Sequence, residues 1–186
     1  MENLKRVLAA LTIITLMMSC GNEDSIENTQ GILGEWTAVE FKSTITSEVG
    51  SDNDITRTEA NITGLNFDYD LTFTESEWSA AGGYDTEIRT QSQSGHNETI
   101  TETLTDVTER GTYIETSDKV TFFGRLFDYN MTGLGFTSIS NNEQSSDYTI
   151  NEDGALIFTQ NQSNTTSING ISIVTTINNT STWVRK

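Results

Sequence analysis

The sequence predicts an all-β fold: an antiparallel up-and-down β-barrel of about eight to ten strands, with a β-sandwich as the alternative. Three observations carry this. The run Leu65-Asn66-Phe67-Asp68-Tyr69-Asp70-Leu71-Thr72-Phe73 puts its apolar residues on odd numbers and its polar ones on even numbers. That is the period of a strand with one apolar and one wet face, whereas at helical spacing the same residues would scatter around the axis. Thr is abundant and mixed with Ile, Val, Tyr and Phe, residues that suit a pleated, half-buried surface. No stretch shows a convincing helical period.

Taken in order, Leu33–Lys42 reads as a first strand and Ile55–Ile62 as a second. Leu65–Phe73 follows, and a slip of one residue there would bury Asp68 and Asp70, so its register is firmly set. Trp78–Thr90 and Glu98–Thr108 are long, Thr-rich strands with Ser92–Asn97 as the turn between them. This middle section is longer and more polar than a compact barrel needs, so it is expected to extend beyond one. Thr112–Thr116 and Lys119–Gly124 pair across Ser117-Asp118. Asp147–Ile150 and Ala155–Gln160 pair across Asn151-Glu152-Asp153-Gly154, whose Asp-Gly is a strong hairpin signal. Gly170–Ile177 and Thr182–Arg185 end the chain. Closing such a meander removes its exposed edges.

Several short pieces, in this order, resemble a family. Gly31-Ile32-Leu33-Gly34-Glu35-Trp36 is similar to the Gly-x-Trp opening of lipocalin-like domains. Gly111-Thr112-Tyr113 with Asp118–Phe122 resembles their central hairpin. Tyr148–Ile150 with Leu156–Thr159 resembles the late hairpin, and Thr182-Trp183-Val184-Arg185-Lys186 the closing strand. The resemblance covers residues 31–186. It implies an up-and-down barrel whose floor is closed by Trp36, with Arg185 stacked on it.

The amino terminus carries a second resemblance. Lys5 and Arg6 precede an apolar run from Val7 to Met18, the layout of a secretory signal and too short for a membrane span. Met17-Met18-Ser19-Cys20 resembles the lipobox of bacterial lipoproteins, although Met17 stands where that family prefers Leu. The resemblance implies cleavage between Ser19 and Cys20, so that residues 1–19 are a signal peptide. It also implies thioether lipidation of Cys20, the single cysteine, and acylation of the new amino terminus with palmitate-type chains. Three chains anchor stably where one holds only marginally. Residues 20–30 then form the lipidated Cys and a polar, acidic tether without periodicity. That tether resembles the acidic stretch of surface-exported lipoproteins of the Bacteroidota, and Asp24-Ser25-Ile26 resembles their acceptor motif for O-glycosylation at Ser25. A location in the bacterial cell envelope follows, as an outer-membrane lipoprotein exposed at the surface.

With 10 basic and 27 acidic residues, the formal net charge is −17. Such a balance argues against nucleic acid as a partner, because phosphate binding needs a basic face. It also makes acyl chains, not charge, the link to the membrane. The high charge itself serves solubility.

Candidates for chemistry are few. His96 is the single histidine and falls in a turn, so zinc sites and Ser–His or Cys–His pairs are not expected. Asp68 and Asp70 share the wet strand face, where a two-carboxylate mechanism has no pocket. Asp52-Asn53-Asp54 lacks the glycine and distal Glu of a calcium loop. No enzyme activity, metal or cofactor is expected. The aromatics remain: Trp36, Tyr69, Trp78, Tyr84, Tyr113 and Phe122, with Arg185, are the candidates for a cavity or barrel floor. The Gly- and Phe-rich connection Phe122–Phe127, continued by Gly133–Phe136, reads as a loop folded over the core or as a binding lip. Two functions follow. The barrel binds a small apolar or amphipathic ligand, or it is filled and serves as an interaction or accessory module.

Overall fold

A computed structural model of the chain describes residues 31–51, 54–127 and 143–186. Alternating side chains make every described element a strand. They are β1 (Gly34–Ser51), β2 (Asp54–Phe73), β3 (Glu77–Ser92), β4 (Asn97–Glu115), β5 (Lys119–Phe123), β6 (Glu143–Ile150), β7 (Leu156–Ile168) and β8 (Ile171–Arg185). Each pairs antiparallel with the next, and β8 returns to β1, giving a closed up-and-down barrel. The closing seam runs from Trp36↔Arg185 to Gly50↔Ser172. A seam that long leaves no break for two separate sheets, so the sandwich alternative is excluded.

Two pairs of expected strands are in fact single strands. Ile55–Ile62 and Leu65–Phe73 are both parts of β2, and Gly170–Ile177 and Thr182–Arg185 both lie in β8 or at its edge. The break in apolar pattern between Ile62 and Leu65 is a bulge, not a turn. The β2–β3 register shifts between Leu65 and Asp68, and Asn66 takes a left-handed φ of 51°. The bulge reverses the phase of the strand. Before it, Ala60 and Ile62 point inward; after it, Tyr69, Leu71 and Phe73 do. Leu65 was expected on the apolar face, yet it is 41% exposed for this reason. Gly82 on β3 makes the bulge possible. Its φ is 130°, and a Cβ there would lie 1.9 Å from the Asp68 carbonyl oxygen.

The hairpins fall where the turn residues predicted. Glu115 pairs with Val120 across residues 116–119, and Ile150 with Leu156 across the Asp-Gly turn. Asn151 stabilises the latter, its Oδ1 accepting from the Ala155 amide at 2.8 Å.

The barrel is uneven. β3 and β4 pair from Glu77↔Thr112 to Gln91↔Asn97, but β5 meets β4 only over Thr112–Glu115. Likewise β6 meets β7 only over Leu156–Thr159, while β7 and β8 pair out to Ile168↔Ile171. The long middle section therefore does run past the closed ring. Beyond that ring, β4 and β7 are each flanked on one side only among the described residues.

Candidate functional site

The barrel interior is built in two aromatic storeys. The lower one starts at Trp36, fully buried on β1, whose Nε1 donates to the Ile32 carbonyl at 2.8 Å. Strand register sets Arg185 directly opposite it. The guanidinium lies 4.2 Å from the Trp36 ring centroid, and its Nη1 donates to the Leu33 carbonyl at 2.8 Å. Above this pair, Phe73 contacts Tyr113 at 5.1 Å and Phe122 at 5.9 Å between ring centroids. Trp78 meets Phe122 edge-on at 5.8 Å. Its indole rests on Gly111 and Gly124, where an added Cβ would approach it to 2.9 and 2.6 Å. Trp78 Nε1 is buried without a hydrogen-bond partner among the described residues. The Tyr113 hydroxyl donates to the Thr74 carbonyl at 2.6 Å; burial, then the charges of Glu115 and Glu75, push its pKa up.

The upper storey surrounds a piece of backbone. After β5 the chain turns inward through Gly124, whose φ is 142°, and buries Leu126 and Phe127 inside the barrel. Phe127 stacks on Phe41 at 4.2 Å and contacts Tyr69, Tyr84 and Trp183 at 5.7, 5.6 and 5.4 Å. The Tyr69 hydroxyl donates to the Leu126 carbonyl at 2.9 Å. An entering loop must bring its polar backbone with it, and this hydrogen bond satisfies one such carbonyl. Of the two expectations for this connection, a loop folded onto the core fits residues 124–127. Gly133–Phe136 lies outside the described residues.

Beside this plug sits a cavity of about 40 Å³. One wall is apolar: Phe41, Leu126, Phe127 and Phe158. The other is polar and uncharged: Gln144, Ser146, Gln160, Asn179 and Ser181. Asn179 donates through Nδ2 to Gln160 Oε1 at 2.9 Å, while its buried Oδ1 has no partner among the described residues. The space suits a few water molecules. Pockets for drug-sized ligands are roughly ten times larger, at about 300–1,000 Å³.

None of the seven residues proposed from sequence for a cavity or floor lines this space. The structure gathers them into the packed storeys: Trp36 with Arg185, Trp78 with Phe122, and Tyr69 with Tyr84, whose centroids are 5.0 Å apart. The residues that do line it include Phe41 and the uncharged Gln160, Asn179 and Ser181. Their signal in sequence was weak, since polar residues at inward positions of β7 and β8 read as ordinary strand surface. His96 sits in the exposed β3–β4 turn. Asp68 and Asp70 lie on the outer face, where Thr37 donates to Asp70 at 2.7 Å and Lys186 also bonds it. Ser19, Cys20, Ser25 and most of the Asp52–Asp54 stretch lie outside the described residues. Among the described residues, no group of three His, Cys, Asp or Glu side chains is placed to hold a metal.

Compared with protein-family models, with curated proteins and with solved structures, the chain finds no match.

Proposed function

We propose that this chain is a lipid-anchored lipoprotein of the bacterial cell envelope whose lipocalin-like barrel is filled, and that it works as a non-enzymatic interaction module. The observation that carries the filled reading is the inward course of Gly124–Phe127. Phe127 takes up space inside the barrel, wedged between Phe41, Tyr69, Tyr84 and Trp183, and this supports the filled reading. The anchor rests on the lipobox resemblance at Ser19-Cys20 and on the barrel's net negative charge, which leaves acyl chains as the means of attachment. On this reading the protein touches the membrane through its acylated terminus and its partners through its outer surface and loops.

A second reading, binding of a small apolar or amphipathic ligand, draws support from the apolar wall of the cavity at Phe41, Leu126, Phe127 and Phe158. In this cavity, of about 40 Å³, a drug-sized ligand requires Phe127 to leave its place.

Native mass spectrometry of the protein extracted from its own envelope tests both. The filled module gives one mass, the chain from Cys20 with its acyl additions and nothing released on denaturation. A reproducible small molecule released on denaturation overturns it in favour of the ligand reading. Fatty-acid labelling tests the anchor: Cys20→Ala is expected to abolish it, and undiminished labelling of that variant removes the lipoprotein assignment.

A further inference from the structure

The barrel has two strand edges that no described residue covers, and they differ in kind. On β4, the stretch from Asn97 to Gly111 is paired with β3 alone. It carries Glu98, Glu102, Asp106 and Glu109, and it is bent by a bulge at which Asp106 takes a φ of 56°. Charge and bulges are the usual protections of an edge against other strands. On β7, the stretch from Gln160 to Ile168 is paired, among the described residues, with β8 alone. Its ladder to β8 is continuous from Leu156↔Trp183 to Ile168↔Ile171, with no bulge. It has no proline and no charge, and from Ser163 to Ile168 every residue is exposed.

The absence of charge extends well beyond this edge. From Gly154 to Val184 no side chain is ionisable, in a chain whose formal net charge is −17. The β7–β8 hairpin, up to Arg185 at its end, is therefore a neutral stretch on an acidic molecule. Two copies approaching through most other faces bring carboxylates together, which costs free energy within a Debye length of about 8 Å. Approaching through β7, the two facing strands bring none of their own. The edge is also chemically self-complementary. Its outward residues Asn161, Ser163, Thr165 and Ser167 alternate with inward Gln162, Asn164 and Thr166, and side chains of these types hydrogen-bond across strands to their own kind.

We infer that β7 is the interface of a homodimer, in which Gln160–Ile168 of one copy pairs antiparallel with the same stretch of a second copy about a two-fold axis. The sheet then continues β8–β7–β7–β8 across both copies. The paired edge is roughly 30 Å long at strand rise. Isologous pairing of this sort is closed, so it ends at two copies and does not propagate into a filament. The same β4 charges that guard that edge keep it out of the contact. This inference rests on the interaction-module reading for its biological sense and names the partner. Its geometry depends only on the β7 edge and the charge pattern.

Two experiments on the full chain test it. Sedimentation in density-matched detergent should report a dimer. Ser163→Glu with Thr165→Glu, both on the outward side of β7, should weaken association by at least about tenfold through like charges facing each other across the axis. Thr99→Glu on the β4 edge should leave it unchanged. Single cysteines placed in turn from Asn161 to Ser167 should cross-link in intact envelopes with a sharp maximum near Asn164, because only residues at the two-fold axis meet themselves. A monomer at every soluble concentration, a dimer indifferent to the β7 glutamates, or cross-linking without a maximum each overturns the inference. The two readings fail separately. A monomer with a ligand-free barrel defeats the homodimer and leaves the filled module standing, whereas a released small molecule defeats the filled module and leaves the β7 pairing to its own test.

Discussion

The Tyr69 hydroxyl on β2 donates to the Leu126 carbonyl at 2.9 Å, across 57 residues of sequence, and so ties the inward loop to the barrel wall. That bond and the stacking of Phe127 on Phe41 hold the loop against the inner face of the barrel.

Removing the plug is expected to be costly and to open the barrel. Phe127→Ala should destabilise the fold by about 3–5 kcal/mol, the range for truncating a buried phenylalanine. It should also enlarge the adjoining cavity on its apolar side, enough to take up a benzene-sized probe. Thermal denaturation with and without the probe measures both effects, and a probe-induced rise in Tm confined to the variant is the expected result. Tyr69→Phe leaves the Leu126 carbonyl buried without this donor and should cost about 1–3 kcal/mol with no gain in probe binding.

The floor is expected to respond to Arg185 through geometry as much as through charge. Its guanidinium both covers the Trp36 ring and bonds the Leu33 carbonyl. Arg185→Gln should destabilise by about 1 kcal/mol and shift Trp fluorescence to longer wavelength. Arg185→Lys keeps the charge but lacks the planar fork, so it should recover only part of the loss. Full recovery by lysine would show that stacking and the fork contribute nothing.

Gly82 is expected to be the least replaceable glycine of β3. An added Cβ meets the Asp68 carbonyl oxygen at 1.9 Å in a backbone with φ of 130°. Gly82→Ala should cost about 2–4 kcal/mol, because the bulge of β2 has to move. Gly95 also has a positive φ, 85°, but open space around it. Gly95→Ala should cost only about 1 kcal/mol. Denaturant midpoints of the two variants give the comparison.

Alkaline stability is expected to depend on Tyr148. Burial, followed by the hydrogen bond to Glu115 Oε1 at 2.6 Å and the Glu115 charge, pushes its pKa up from 10.0 to about 12. The folded state therefore favours the protonated phenol. The stabilisation this represents is complete below pH 10 and is lost as pH rises through about 12. Tyr148→Phe should flatten the fall in stability across that window and leave the curve below it parallel to the parent's. An unchanged alkaline slope would show that the phenol does not titrate with folding.

Much of the fold was legible locally because a strand writes its two faces into alternate residues. Leu65–Phe73 announced a half-buried strand, and Asp153-Gly154 announced its hairpin. The aromatic residues Trp36, Tyr69 and Trp78 were visible as core or lining, but their partners were not. Asn179 and Gln160 could not be distinguished from surface polar residues, since an inward amide and an outward one look alike without the strand's phase. That phase is set at bulges, and the bulge at Asn66 follows from the close approach of Gly82 on another strand.

By itself, then, the sequence determined the all-β class, the hairpins and the acidic surface. Each depends on spacing within one segment or on a sum over the chain. Only the tertiary structure decided that β8 closes on β1, that Leu65 turns outward, that Phe127 packs inside the barrel and that β7 runs past its pairing with β6. The reason is physical. Strand periodicity and turn chemistry act between near neighbours, whereas closure, phase and filling depend on which distant segment comes to occupy the same space.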